Sequence, residues 1–311
     1  MAFLNDGTIH LGYNDQPWTF TNSNSDVYTF KADPIRRKLG SFKDECIRAA
    51  KEIGEAYKDK PIYVLYSGGI DSEVVFHSFR LAGVPAIAVC IQFEDNLNIH
   101  ELKYAFQYFE RHKVPPSQIK IIPFNERDWL QSAACKEIAN NVQTVELGYT
   151  HLFQIALDHL SDGVVITGHE EPLVWAEDDP ETGKRKWSFY CHERHYSIHK
   201  FFMKYERPGV PSFFQWSTEL LNSFMHNDYW IALFNNQYAP GIWITEQLKY
   251  GFFGNQFNLA HRKKYTSFER LVAEILDADN AWGESLPIKW TRSQSVEIFE
   301  WFDRCNVRTI W

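Results

Sequence analysis

The 311 residues correspond to about two domains of ordinary size, or one domain with large additions. Hydrophobic residues at 44% and charged ones at 23% exclude collagen-like, disordered and low-complexity chains. A net charge of −8, from 32 Lys and Arg against 40 Asp and Glu, argues against a general nucleic-acid binder. The five cysteines (Cys46, Cys90, Cys135, Cys191, Cys305) contain no Cys-x-x-Cys, which argues against a disulfide framework or a four-cysteine zinc site. The start lacks a basic region followed by an apolar one, and no run approaches about 18 apolar residues. The expectation is a cytoplasmic protein with no membrane contact.

Residues 1–41 are rich in Asn, Asp, Thr and aromatics and read as an N-terminal extension of short strands or an irregular flap. Apolar positions Phe42, Cys46, Ile47, Ala50, Ile53 and Ala56 then recur at helical spacing over 41–57. Ile62-Tyr63-Val64-Leu65-Tyr66 is a short continuous apolar run, the pattern of a parallel strand buried on both faces. A helix over 71–82 follows and ends at Gly83-Val84-Pro85. Strands at 86–93, 119–122 and 164–167 alternate with helices at 97–112, 126–140 and 150–160. Such alternation predicts an α/β fold, a doubly wound, mostly parallel sheet with helices on both faces, over about 42–175.

Beyond Pro172 the pattern changes to a hairpin and a mainly helical part, with 176–311 read as a substrate or lid region. The hairpin has arms at 173–176 and 187–190. Ser212-Phe213-Phe214-Gln215 reads as a capping box opening a helix to about 226. Helices are also expected at 268–276 and 293–304.

The sharpest motif is Ser67-Gly68-Gly69-Ile70-Asp71-Ser72, set between a strand and a helix. Two glycines let the backbone approach a ligand, and N–H groups at a helix N-terminus suit phosphate. The plain alternative is a tight turn with Asp71 and Ser72 as capping residues. Neither G-x-x-x-x-G-K-[ST] nor G-x-G-x-x-G is present here, which removes the P-loop and dinucleotide readings.

These residues resemble the PP-loop of the ATP pyrophosphatase, or adenine nucleotide α-hydrolase, superfamily. That group includes the catalytic domain of asparagine synthetase, NAD synthetase, 7-cyano-7-deazaguanine synthase and phosphoadenylylsulfate reductase. The resemblance covers about 61–175 and implies a HUP-type, Rossmann-like fold and ATP with Mg²⁺ as cofactors. It also implies cleavage between the α- and β-phosphates, adenylation of a small substrate, and displacement of AMP by ammonia, an amine or a sulfur donor. Ser67, Gly68, Gly69 and Ser72 would then cradle pyrophosphate, and Asp71 would help hold magnesium. Thr167-Gly168-His169-Glu170-Glu171, ending a later strand, matches a second family element. It adds Gly168 and His169 to the nucleotide site and Glu170 and Glu171 as magnesium ligands, where the family more often has an aspartate. Adenine would lie near Tyr66 and near Gln92 or Phe93.

The branch stays unassigned. There is no glutaminase cysteine at the start, no four-cysteine cluster and no Glu-Cys-Gly-x-His around Cys305. Ammonia or sulfur would arrive free or from a donor protein. A sulfonucleotide-reductase-like enzyme and a catalytically silent nucleotide-binding module remain as alternatives.

Three further groups stand out. His192, His195 and His199, with Cys191, would share one helix face and could ligate a metal, contact substrate or lie at the surface. Arg194 and Lys200 would be the cations that meet a substrate if this segment closes over the pocket. Lys263 or Lys264, in His261-Arg262-Lys263-Lys264, would stabilise departing pyrophosphate, as a lysine from outside the loop does in some relatives; a solvated helix face is the alternative. Gly251-Phe252-Phe253-Gly254-Asn255 could form an aromatic lid or belong to the core.

Overall fold

A computed structural model of the chain describes residues 5–13, 16–17, 28–142, 149–169, 173–178, 181, 185–192, 197–229, 244–260 and 295–297. The central sheet contains β4 (Ile62–Leu65), β5 (Ile87–Phe93), β6 (Ile119–Phe124), β7 (Val164–Ile166) and β10 (Gly209–Val210). Its order is β10-β7-β4-β5-β6, and every pairing is parallel. From β4 the chain winds outward to β5 and β6 on one side, then to β7 and β10 on the other. The winding reverses between β4 and β7, where an open α/β sheet leaves a crevice at its carboxyl edge.

All four residues of β4 are buried because both faces are covered. Ile62, Val64 and Tyr66 face α1 (Phe42–Ala56), α2 (Ile70–Ala82) and α3 (Ile99–Arg111). Tyr63 and Leu65 face α4 (Glu126–Gln131), α5 (Ala133–Asn141), α6 (Thr150–Asp158) and α7 (Ser197–Lys204). The period-2 alternation of a strand accounts for the split. α1 begins at a capping box between Ser41 and Asp44, and α2 ends at Gly83, whose φ of 71° suits glycine at a helix C-terminus.

The core extends beyond the doubly wound segment. α8 (Thr218–Met225) and α9 (Ile244–Phe257) pack beside α1, where the Phe42 ring meets Phe214, Phe224, Phe252, Phe253 and Phe257 at centroid distances of 5.0–6.2 Å. Aromatic contacts of this spacing add to the area that the rings bury. The extension forms a small antiparallel sheet from β1 (Ile9–Tyr13), β2 (Gln16–Pro17) and β3 (Tyr28–Ala32). It is tied to α8: Thr218 N donates to Thr8 Oγ1 at 2.9 Å, and Arg36 bridges Asp6 and Glu219. The expected hairpin is β8 (Leu173–Asp178) with β9 (Arg185–His192), antiparallel.

Three expectations are corrected. The helix expected over 126–140 is broken at Ser132, whose backbone is extended and whose hydroxyl accepts from Cys135 N to cap α5. Ser212 precedes a single 3₁₀ turn, Phe213–Gln215, without a side-chain cap to it, and Ser217 is the residue that caps α8, through Leu220 N. Residues 295–297, expected to be helical, form β11 (Ser295–Glu297), which pairs with β9. The rest of 293–304 and all of 268–276 lie outside the described residues. No described helix is long and apolar enough to cross a membrane.

Candidate functional site

The 67–72 segment leaves β4 at the carboxyl edge and enters α2. Gly68 has φ of +91°, and a Cβ there would lie 2.2 Å from the backbone oxygen of Glu101 in α3. Both the left-handed conformation and the close approach therefore require glycine. Gly69 is the N-cap of α2 and contributes no side chain over the helix end. The early N–H groups of a helix have no partners within it, so α2 presents an uncapped N-terminus suited to an anion. Two serines brace the turn: Gly69 N donates to Ser67 Oγ at 3.2 Å, and Ser72 Oγ donates to Gly69 O at 2.9 Å. Ser67 itself is exposed.

Asp71, in the first turn of α2, receives the Nζ of Lys249 on Oδ2 at 2.8 Å. Its other oxygen, Oδ1, is buried without a hydrogen-bond partner. The unpartnered Oδ1 could ligate a cation, which fits the magnesium that the sequence resemblance implies, while the Lys249 ammonium on Oδ2 is a charge that such a cation would compete with. Lys249 comes from α9, 178 positions along the chain. Lys263 and Lys264 lie outside the described residues; among the described residues, Lys249 is a lysine brought to the loop. It stands one turn before Phe252 and Phe253, the rings weighed as a lid, which are wholly buried. A lone lysine at i−3 and i−4 from core phenylalanines faces inward with them, and that spacing is the sequence signal for Lys249.

The loop after β7 meets the same helix end. A Cβ on Gly168 would lie 3.0–3.1 Å from the Asp71 carbonyl and Ser72 N, so the two loops touch at the reversal point of the sheet. Thr167 fixes this strand end, accepting from Phe213 N at 3.0 Å and donating its hydroxyl to the Pro211 carbonyl. The His169 ring packs against Tyr149 at 4.7 Å. Glu170 and Glu171 lie outside the described residues.

The base wall differs from expectation. Tyr66 is only 1% exposed: its hydroxyl donates to Glu73 Oε2 at 2.9 Å and its ring packs on Phe76, Tyr108 and Phe109. It shares the face of Ile62 and Val64, so alternation turns the ring into the core and away from the crevice. Phe93 is also buried, against His151, and its N–H donates to Asn98 Oδ1. Gln92 is the accessible member of the three, with Nε2 donating to Asn96 Oδ1 at 2.9 Å.

The histidines expected on one helix face do not share one. His192 ends β9, His199 lies within α7, and Arg194 and His195 are outside the described residues. Burial pushes His199 down to about 3, so it is neutral. Among the described residues no group of three His, Cys, Asp or Glu is placed to hold a metal ion. Cys46, Cys90 and Cys135 are buried free thiols, and burial raises all three, Cys90 to about 12 and Cys135 to about 11. None of these is an activated nucleophile; Cys305 lies outside the described residues.

Glu126 begins α4 just beyond the carboxyl end of β6 and is 1% exposed. Burial raises its carboxyl to about 8, so near neutral pH it holds its proton and meets His151 Nδ1 at 3.5 Å as a polar contact and not as an ion pair. Between about 4.5, the ordinary value, and 8 the folded chain keeps a proton that the unfolded chain has lost. Stability therefore falls with rising pH, by up to about 1.4 kcal/mol per pH unit from this group. Glu126→Gln should flatten that decline, as urea unfolding at pH 5, 6.5 and 8 would read; parallel pH profiles for variant and parent would refute the assignment.

No protein-family model and no curated protein matches the chain. Among solved structures it is similar to one described as a predicted subunit of a tRNA methyltransferase from Methanocaldococcus jannaschii. The identity is 16%, over 77% of this chain and 96% of that one, with a TM-score of 0.35. It is also similar to NMN synthetase from Francisella tularensis at 11% identity, over 81% of this chain and 99% of that one, with a TM-score of 0.34. The overlaps are too loose to bear on activity.

Proposed function

We propose that the chain is an AMP-forming, ATP-dependent enzyme that adenylates a small acceptor for displacement by ammonia, an amine or a sulfur donor. The observation that carries this reading is the uncapped N-terminus of α2 at the reversal point of the sheet, with Asp71 and Lys249 paired across it. The amides of the 67–72 loop bind the outer phosphates, and the serines hold the loop in shape for them. Asp71 and, by the sequence resemblance, Glu170 and Glu171 would hold magnesium, which offsets phosphate charge when bound. The Lys249 ammonium stands where negative charge develops as pyrophosphate leaves. Gln92 and His169 border the nucleotide from neighbouring strand ends. A chain of net charge −8 suits a small acceptor better than a nucleic acid.

The test is product identity with Mg-ATP and a small-metabolite extract. AMP and pyrophosphate are expected; ADP and phosphate would overturn the reading, and nucleotide binding without any product would favour a silent module. Lys249→Met should slow AMP formation about 10²–10³-fold while weakening ATP binding no more than about tenfold. Equal losses in both would make Lys249 a binding residue only.

A further inference from the structure

The two carboxylate oxygens of Asp71 are treated differently by the fold. Oδ2 takes the Lys249 ammonium at 2.8 Å, while Oδ1 is buried without a hydrogen-bond partner. An ionised carboxylate can accept on both oxygens, and a buried acceptor left unmatched is costly. The pair is also shielded, with the Lys249 side chain 10% exposed and that of Asp71 23%. A carboxylate at that depth needs an opposite charge beside it, and Lys249 is the charge that meets it here.

Lys249 reaches Asp71 from a helix that is anchored by other contacts. Phe252 and Phe253, one turn further along α9, pack on Phe42 at 5.0 and 5.8 Å between ring centroids, and Phe253 stacks on Phe214 at 5.6 Å. The rings therefore hold the backbone of α9 whether or not the ion pair is made. A lysine carries a compact ammonium on a flexible four-carbon stem, so its charge can pass from one acceptor to another without moving the helix. An arginine is less suited to such a transfer, because its planar fork grips both oxygens of a carboxylate at once. A divalent cation and an ammonium make the same demand on Asp71, and like charges a few ångströms apart in a shielded site repel strongly. Binding of either at this carboxylate weakens the other.

We propose that Lys249 is an internal stand-in for the metal: it holds Asp71 until magnesium and nucleotide arrive together, then yields the carboxylate to the metal and passes to the phosphates. The proposal rests on the ATP-cleaving reading above. Metal that comes without nucleotide is turned away, because the phosphates are what offers the displaced ammonium a new partner. Lys249 thereby makes the loop selective for the magnesium–nucleotide complex over free magnesium, a regulatory task separate from offsetting charge on pyrophosphate.

Manganese binding to the full chain without nucleotide, read by electron paramagnetic resonance, tests this without turnover. Lys249→Met should bind manganese at least about tenfold more tightly than the parent, since the competing charge is gone. Adding Asp71→Asn to that variant should abolish the gain, which distinguishes this carboxylate from others at the surface. Lys249→Gln, which keeps a donor for Oδ2 but no charge, should show the same gain and carries the test if Lys249→Met fails to fold. Equal manganese affinity in the parent and the uncharged variants, or a gain that survives Asp71→Asn, would overturn the stand-in alone. Calorimetric titration of the parent with α,β-methylene-ATP and manganese checks the underlying reading: binding is expected, and its absence would overturn the ATP reading and this proposal with it.

Discussion

Replacing Asp71 with asparagine should lower magnesium-dependent AMP formation by roughly three orders of magnitude and leave the fold intact. Asparagine preserves the shape and one oxygen, so packing around α2 is unchanged. It removes the charge that meets Lys249 at 2.8 Å and that would attract a cation to the buried Oδ1. The lost pairing costs stability about 1–3 kcal/mol, within the margin of a domain stable by about 5–15 kcal/mol. Pyrophosphate release measured beside thermal unfolding separates the two effects. A variant that still cleaves ATP at the parental rate would remove Asp71 from the reaction.

Gly68→Ala should do more damage to the protein itself. Its Cβ would stand 2.2 Å from Glu101 O at a φ of +91°, so either the loop or the start of α3 has to shift. We expect destabilisation of about 2–4 kcal/mol and a loss of nucleotide affinity of about 100-fold or more. Two other glycines separate the causes. Gly83 has φ of +71° and nothing within 4 Å of its Cβ position, so Gly83→Ala should show conformational strain alone, about 1 kcal/mol. Gly69 has an ordinary extended backbone with Ser67 Oγ 3.2 Å from its Cβ position, a tight contact with an exposed side chain that can give, and Gly69→Ala at this N-cap should cost about 0.5–1 kcal/mol. Urea unfolding of the three variants, with calorimetric titration of an ATP analogue, checks the ranking. Equal effects at positions 68 and 83 would show that the approach to Glu101 is relieved at no cost.

The parallel sheet was legible because β4 is apolar throughout and β5 is interrupted only by Gln92 near its end, a pattern that a strand covered on both faces needs. The 67–72 loop was legible because glycine pairs between a strand and a helix have few other uses. β10 was not, since two residues, Gly209 and Val210, carry no period. The break at Ser132 was hidden because its neighbours continue a helical spacing across it, and only the cap that Ser132 makes to Cys135 N interrupts the backbone. The inward turn of the Tyr66 ring is legible too: it lies two residues beyond Val64 and four beyond Ile62, and so shares their face. The inward face of Lys249 is legible in its spacing to Phe252 and Phe253, whereas its meeting with Asp71 depends on how α9 docks, which is a tertiary fact.

The distance between Asp71 and Lys249 along the chain bears on how the protein is born. A ribosome completes the 67–72 loop early, and Lys249 follows Asp71 by another 178 residues. Until the phenylalanines of α9 dock against Phe42, the young polypeptide holds the loop with its counter-charge missing. If the loop cleaves nucleotide as proposed, a truncated product ending before α9 would lack the ammonium that meets Asp71 and should do so far more slowly.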